Sequence, residues 1–493
     1  MVLHIPISLI IALAEAGYSI AYVSIERIKR MNELIVATAC EITARLRKKE
    51  ISPLELIDAT VARIAEVNDL VNAVPTLCID RARGRAASLA PDCLLAGLPI
   101  LAKDLVDVAG VRTTHGSRVF SDYVPEASNF LIDKLEANGA LVVGKTNTPE
   151  FGAGANTFNE VFGRTVNPYD TALTCGGSSG GSAVALATGM AWLATGSDLG
   201  GSLRIPAAFC NVVGFRPSPG RVPHGPTLEP FTPMWIDGPM GRNVADVALF
   251  LDAMCGYDRR DPLTYEPPAV SYLSAASDPE APTRVGFSTD LGITPVDNEV
   301  AAICSASIRK LERMGTDVIE TCPDFSSAHD AFATLRAASY ATVFEKTLGS
   351  HRDKLKPEVI GNIEQGLALK AADIGLAERQ RAALCADMAV FFGEHDVLAT
   401  PCVAVPPFPV EIRYLEEING KKMTSYVEWL ALTYATTLTS CPAISVPCGF
   451  TEAGLPVGMQ LVGRPRGEAK LLQVAAAFEA EMGLPQLPID PVN

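Results

Sequence analysis

The chain is 493 residues long, 48% hydrophobic and 20% charged, with a formal net charge of −15. A chain of this length buries a large core without disulfide or metal staples, and the composition is that of a globular protein rather than a fibrous or disordered one. The acidic balance, with no basic run to offset it, excludes nucleic acid as a direct partner, because neutralising phosphates takes clustered Lys and Arg.

In chain order, Ile5 to Ala14 is an apolar run, but no Lys or Arg precedes it and Pro6 and Glu15 interrupt the wider stretch. Neither a signal peptide nor a membrane span is expected from it. Residues 1–30 read as an N-terminal extension, and Met31 opens a single domain over 31–493. Helical periodicity covers 35–48 and 53–67, with Ser52 as N-cap and Pro53 in the first turn. Leu98 to Ala102 and Gly139 to Gly144 read as short buried strands, with a helix over Leu131 to Asn138 before the second. Residues 163–220 are dense in Gly and Ser and read as loops that bring backbone close to a ligand. Helices are expected over 241–256, 297–315, 327–348 and 376–394, and from about 467 to 482. Strands are expected at 396–400, 443–446 and 457–462. Strand–helix alternation of this kind predicts an α/β fold with a mixed, largely parallel sheet, and the helical stretch near 297–394 reads as an insertion.

The twelve cysteines are scattered with no C-x-x-C pair, which reads as buried thiols in a reducing cytosol. The six histidines form no H-x-x-x-H pair, so no metal site is expected.

Three patterns compete for the chemistry. Gly139-Ala-Leu-Val-Val-Gly-Lys145-Thr146 fits a phosphate loop by its letters. Its interior of Leu141, Val142 and Val143 favours an extended strand, however, and Pro149 follows where a helix should begin. Gly177-Ser-Ser179-Gly-Gly181 fits a nucleophile elbow with Ser179 as attacker, but no convincing strand precedes it and no histidine has a distinctive setting. The third pattern joins Lys103, directly after an apolar run, to Gly176-Gly-Ser178-Ser-Gly-Gly-Ser182 and to Gly196-Ser-Asp-Leu-Gly-Gly-Ser202-Leu-Arg204-Ile-Pro206. A lone lysine is ordinarily a solvated surface residue, and a lone serine ordinarily a loop hydroxyl or an N-cap. The three together, in this order, ask for another explanation.

That third set closely resembles the amidase signature family, and the resemblance runs from about residue 32 to 482. It extends to Gly144-Lys-Thr-Asn147, Glu150-Phe-Gly152, Asn167-Pro168, Pro206-Ala-Ala-Phe-Cys210, Pro442-Ala-Ile-Ser-Val-Pro447 and Gly454-Leu-Pro-Val-Gly-Met-Gln460. It implies the family's fold, a mixed sheet covered by helices on both faces, and hydrolysis of amides without metal or cofactor. It makes Ser202 the nucleophile, Ser178 a bridging hydroxyl after a cis Gly177–Ser178 bond, and Lys103 the base. Backbone amides of Leu199, Gly200, Gly201 and Ser202 become the oxyanion donors, with Leu199 where the family usually has Thr or Ile. Phe151, Gly152 and Ala153 match the segment lining the acyl pocket. Such a base must be neutral, which requires burial, and Asp104 must then point away from Lys103. Asp198 and Arg204, flanking the nucleophile, read as a structural ion pair.

Family members act on aliphatic, aryl and peptide amides, and some on carbamates. The glutamine-hydrolysing component of glutamyl-tRNA amidotransferase resembles the chain too. Its usual Arg followed by Met-Leu-Gly-Thr-Tyr is absent here, as is an acid between Leu430 and Cys441. A stand-alone cytoplasmic amidase with a small-molecule amide substrate is the expectation, with homodimerisation implied only by family habit.

Overall fold

The computed structural model describes residues 25–90 and 92–492; the apolar run at the N-terminus lies outside them. The expected helix over 35–48 is two helices, Ile25–Val36 and Ala39–Arg47. The break falls at Thr38, whose hydroxyl caps the second helix while Glu41 reaches back to the Thr38 amide. This reciprocal capping box out-competes continued helix. Ser52 and Glu55 form the same box at the start of Pro53–Val71.

Eleven strands form one sheet: β1 (Thr76–Leu77), β2 (Pro99–Lys103), β3 (Leu141–Thr146), β4 (Leu193–Asp198), β5 (Val213–Arg216), β6 (Ile236–Gly241), β7 (Arg284–Phe287), β8 (Asp317–Glu320), β9 (Val397–Pro401), β10 (Ala443–Phe450) and β11 (Pro456–Val462). Their order is β1-β3-β2-β4-β6-β5-β10-β11-β9-β7-β8. The sheet is mixed. β3-β2-β4 and β9-β7-β8 are parallel groups, and the strands between them pair antiparallel. Helices flank it in a mixed α/β architecture. Between β7 and β9 lie the helices Asn298–Ile308, Ala328–His351, Pro357–Ala368 and Ala371–Glu394, with β8 among them at the sheet edge.

The Gly/Ser-rich stretch is not loop throughout. It holds β4, β5 and the helices Gly180–Ala187 and Arg204–Phe209, nearly all of it buried. Small residues serve packing here: a Cβ on Gly181 would come within 2.4 Å of the Asn147 backbone nitrogen, so only glycine lets this helix meet the end of β3. Lys145 sits inside β3 with its side chain fully buried, so the phosphate-loop pattern is a strand, as its β-branched interior dictates.

Candidate active site

Lys103 is the last residue of β2, and no part of it reaches solvent. Its Nζ lies 2.7 Å from Ser178 Oγ, 2.9 Å from Ser179 Oγ and 3.0 Å from Ser197 Oγ. Burial pulls its pKa down to about 7, against the opposing pull of Asp237 and Asp198. Three neutral hydroxyls solvate an amine without holding it charged as a carboxylate would.

The neighbouring Asp104 turns elsewhere. Its Oδ2 accepts from the Thr114 amide (3.1 Å) and hydroxyl (2.5 Å), and its Oδ1 lies 3.3 Å from Lys145 Nζ. Lys145 also donates to Val106 O and Thr113 Oγ1. The two buried lysines are thus treated differently: one has a carboxylate partner, the other only alcohols.

Ser178 and Ser179 precede the helix Gly180–Ala187, and the Gly177–Ser178 peptide is cis. Ser202 follows β4 in a half-buried turn, where its carbonyl accepts from the Ser179 amide at 3.2 Å. Ser178 and Ser202 border one narrow cavity of about 30 Å³, with Leu199, Gly200, Gly152 and Phe151 on its walls. The link from Lys103 to Ser178 is formed. The Ser202 hydroxyl makes no hydrogen bond to the described residues and opens on this cavity. Catalytic hydrogen bonds are commonly loose without substrate and tighten around it.

Beside the cavity, Asp198 at the end of β4 is fully buried. It accepts from Arg204 Nε (3.0 Å) and Nη2 (2.9 Å), from Arg216 Nη1 (3.2 Å), and from the amides of Gly201 (2.9 Å) and Leu203 (3.1 Å). Burial would raise its pKa, but the two guanidiniums hold it well below the ordinary carboxylate range. Of the expected oxyanion donors, Gly201 therefore already directs its N–H to Asp198. The amides of Leu199, Gly200 and Ser202 have no acceptor among the described residues. Of the expected acyl-pocket segment, Phe151 and Gly152 reach the cavity, and a Cβ on Gly152 would stand 3.4 Å from Ser178 Oγ. Ala153 lies behind them, its carbonyl taking the Lys356 ammonium at 2.6 Å.

Ser197 carries no signal of its own in the sequence, although it stands inside the Gly196-Ser-Asp run. Its proximity to Lys103 follows from β2 and β4 being neighbours. The far wall of the cavity comes from distant helices: Phe332, Arg336 and Tyr340 on Ala328–His351, and Val427 and Leu430 beyond. The elbow reading finds no histidine beside Ser179. Ser179 Oγ faces Lys103, while His224 Nδ1 pairs with Asp237 at 2.8 Å and His329 bonds Tyr434 and the Ile293 carbonyl. No group of three His, Cys, Asp or Glu side chains that could hold a metal occurs among the described residues. No described helix is long and apolar enough to cross a membrane.

The Amidase family model matches residues 55–472. The chain belongs to the amidase signature family. It is 34% identical over 453 residues to an acylamidase of Rhodococcus erythropolis, covering 90% of this chain and 95% of that one. It is also 35% identical to the A subunit of the glutamyl-tRNA(Gln) amidotransferase from Moorella thermoacetica, covering 91% and 97%. Its fold is similar to that of a bacterial aryl acylamidase of the amidase signature family (TM-score 0.85, 29% identity, 90% and 96% covered). It is similar as well to 6-aminohexanoate cyclic dimer hydrolase (TM-score 0.84, 27% identity, 91% and 98% covered). As an amidase-signature protein the chain is a hydrolase acting on amides.

Proposed function

We propose that the chain is a stand-alone amidase that works through an acyl-enzyme on Ser202, with Lys103 as base and Ser178 as relay. The observation that carries this is a fully buried amine, 2.7 Å from Ser178 Oγ, in surroundings that bring its pKa to about 7. An amide is a weak electrophile, so its attacker must shed a proton as it attacks. Ser202 gives its proton to Ser178 Oγ, and the Ser178 proton passes to neutral Nζ. Ser202 Oγ bonds to the carbonyl carbon, and the oxyanion is met by the amides of Leu199 and Gly200. The C–N bond then breaks as Lys103 returns a proton through Ser178 to the leaving nitrogen. Water takes the amine's place, repeats the proton path and frees the acid. No step calls for a metal or cofactor.

The amidotransferase relatives raise glutamine hydrolysis as a second reading. The cavity opposes it, being walled by Phe151, Ile205, Phe332, Val427 and Leu430. The one guanidinium among these walls, Arg336, is taken up by Asn362 Oδ1 (2.5 Å) and Tyr426 OH (2.6 Å). A zwitterionic amino acid finds no carboxylate there for its ammonium. The likeness to an acylamidase and to an aryl acylamidase favours acyl amides, aryl amides among them, as the substrate class.

Ser202→Ala tests the mechanism. Amide turnover should fall by roughly 10⁴-fold or more, with an unchanged circular dichroism spectrum. Substantial turnover in a folded Ser202→Ala protein overturns the assignment. Ammonia release from glutamine by the purified chain, comparable to its release from simple amides, would favour the amidotransferase reading.

A further inference from the structure

A second, larger cavity of about 390 Å³ adjoins the catalytic one and shares with it Leu105, Phe151, Ser197 and Trp235. Its walls are aromatic: Phe120 meets Phe151 edge-on at 6.0 Å, and Phe344 stacks on Phe151 at 4.4 Å. Trp235 closes a side beside His224, with ring centroids 6.4 Å apart. Its polar wall is fixed by hydrogen bonds. His224 Nδ1 is held 2.8 Å from Asp237 Oδ2, and the His224 amide donates to Asp261 at 2.9 Å. Fixing one ring nitrogen orients the other. Nε2 of His224 has no hydrogen-bond partner among the described residues, on a ring that borders the cavity. Glu229 also borders it, with its carboxylate on the Ser339 hydroxyl.

The two cavities divide the groups of the reaction. Ser202, Ser178, Leu199 and Gly200 border only the narrow one. Ser197, one of the three hydroxyls around Lys103 Nζ, borders both. The acyl carbon and its oxygen must sit with the nucleophile and the oxyanion amides. The leaving nitrogen takes its proton from the lysine side, toward the wall both cavities share.

We propose that the larger cavity is the leaving-amine subsite, that it takes an uncharged aromatic amine, and that His224, oriented by Asp237, is its specificity-determining polar contact. The rings of Phe120, Phe151, Phe344 and Trp235 receive the arene. His224 Nε2 bonds an uncharged acceptor on it, such as a ketone or amide oxygen. Asp237 and Glu229 at the same wall disfavour a carboxylate on the amine, by like-charge repulsion in a poorly solvated space. The acyl part is small, as the narrow cavity requires. This rests on the reading of Ser202, Ser178 and Lys103 as the reacting groups.

The test compares propionamide with propionyl anilides, and uses free aniline, 4-aminoacetophenone and 4-aminobenzoate as competitive inhibitors. The wild type should bind 4-aminoacetophenone tighter than aniline by roughly tenfold, the worth of one hydrogen bond in a partly buried site, and 4-aminobenzoate weakest. His224→Leu should erase the preference for 4-aminoacetophenone while leaving aniline inhibition within about twofold. Val343→Trp, which fills the cavity from the helix Ala328–His351, should lower kcat/KM for the anilide at least tenfold relative to propionamide. Propionamide turnover serves as the internal measure of folding. Equal loss for both substrates, an unchanged ketone preference in His224→Leu, or selective loss of long acyl amides with small amines overturns the proposal. Absence of amide turnover in the wild type would instead overturn the mechanism on which it rests.

Discussion

Lys103 keeps an amine where no water reaches it, ringed by three serine oxygens within 3.0 Å. In the proposed reaction only the neutral amine can accept the relayed proton. Activity should therefore rise with pH through about 7 to a plateau, and a kcat/KM–pH profile flat from pH 5.5 to 8.5 would contradict the assigned base. The same residue bears on stability. The unfolded chain keeps the lysine proton to about pH 10.4, whereas the fold releases it from about 7. Between those values the unfolded state binds more protons, so stability climbs with pH across that window and gains nothing from this group below it. Lys103→Met removes the slope. In denaturant melts the wild type should gain on the variant by roughly 3 kcal/mol between pH 7 and 9.5. Lys145 shows why identity alone is insufficient: it is equally buried, and burial lowers its pKa too, but Asp104 at 3.3 Å opposes that.

At the scale of elements, the turn after β4 is held from behind. Arg204 opens the helix Arg204–Phe209 and donates to Asp198, to the Thr433 carbonyl (3.0 Å), to Thr436 and Thr437 (2.7 and 2.8 Å) and to Gln460 Oε1 (2.5 Å). One guanidinium thus ties β4, β11 and the helix Ala431–Leu438 behind the candidate nucleophile. Arg204→Met leaves Asp198 half-neutralised in the core and should cost about 3–5 kcal/mol, read from denaturant midpoints. Gly201 is equally constrained. Its φ is +122°, and an added Cβ would lie 2.2 Å from Thr433 Oγ1. Gly201→Ala should lower kcat by about a hundredfold, as the neighbouring amides lose their aim. Elements with strong local signals were legible in the sequence, such as the helix with Ser52 as N-cap and Pro53 in its first turn, and β3. β4 and β6 were not, because Leu-Ala-Thr-Gly-Ser-Asp and Ile-Asp-Gly-Pro-Met-Gly carry little strand propensity. They are strands because each is paired on both sides within the sheet, which no local window reveals.

For the whole molecule, β2 lying beside β4 brings Lys103 to Ser197, the start of the helix Gly180–Ala187 brings it Ser178, and Ser178 and Ser202 border one cavity, whose facing wall arrives from the helices after β7. No metal-ligand group ties these parts together among the described residues, and all twelve cysteines are free thiols. Incubation with EDTA should leave amide turnover unchanged, and loss of activity restored by a divalent metal would contradict a metal-free reaction. Reductant should leave the melting temperature unchanged, since no cross-link exists to break.

The order and spacing of Lys103, Ser178 and Ser202 among their flanking motifs were enough to identify the family and nominate the reacting groups, because such motifs are local runs of backbone geometry written in glycine, serine and proline. Which buried lysine lies apart from a carboxylate, which amides have no acceptor, and how a narrow cavity adjoins an aromatic one were decided only in three dimensions. Desolvation, ion pairing and cavity shape depend on what distant segments bring to within a few ångströms, and no stretch of the chain carries that by itself.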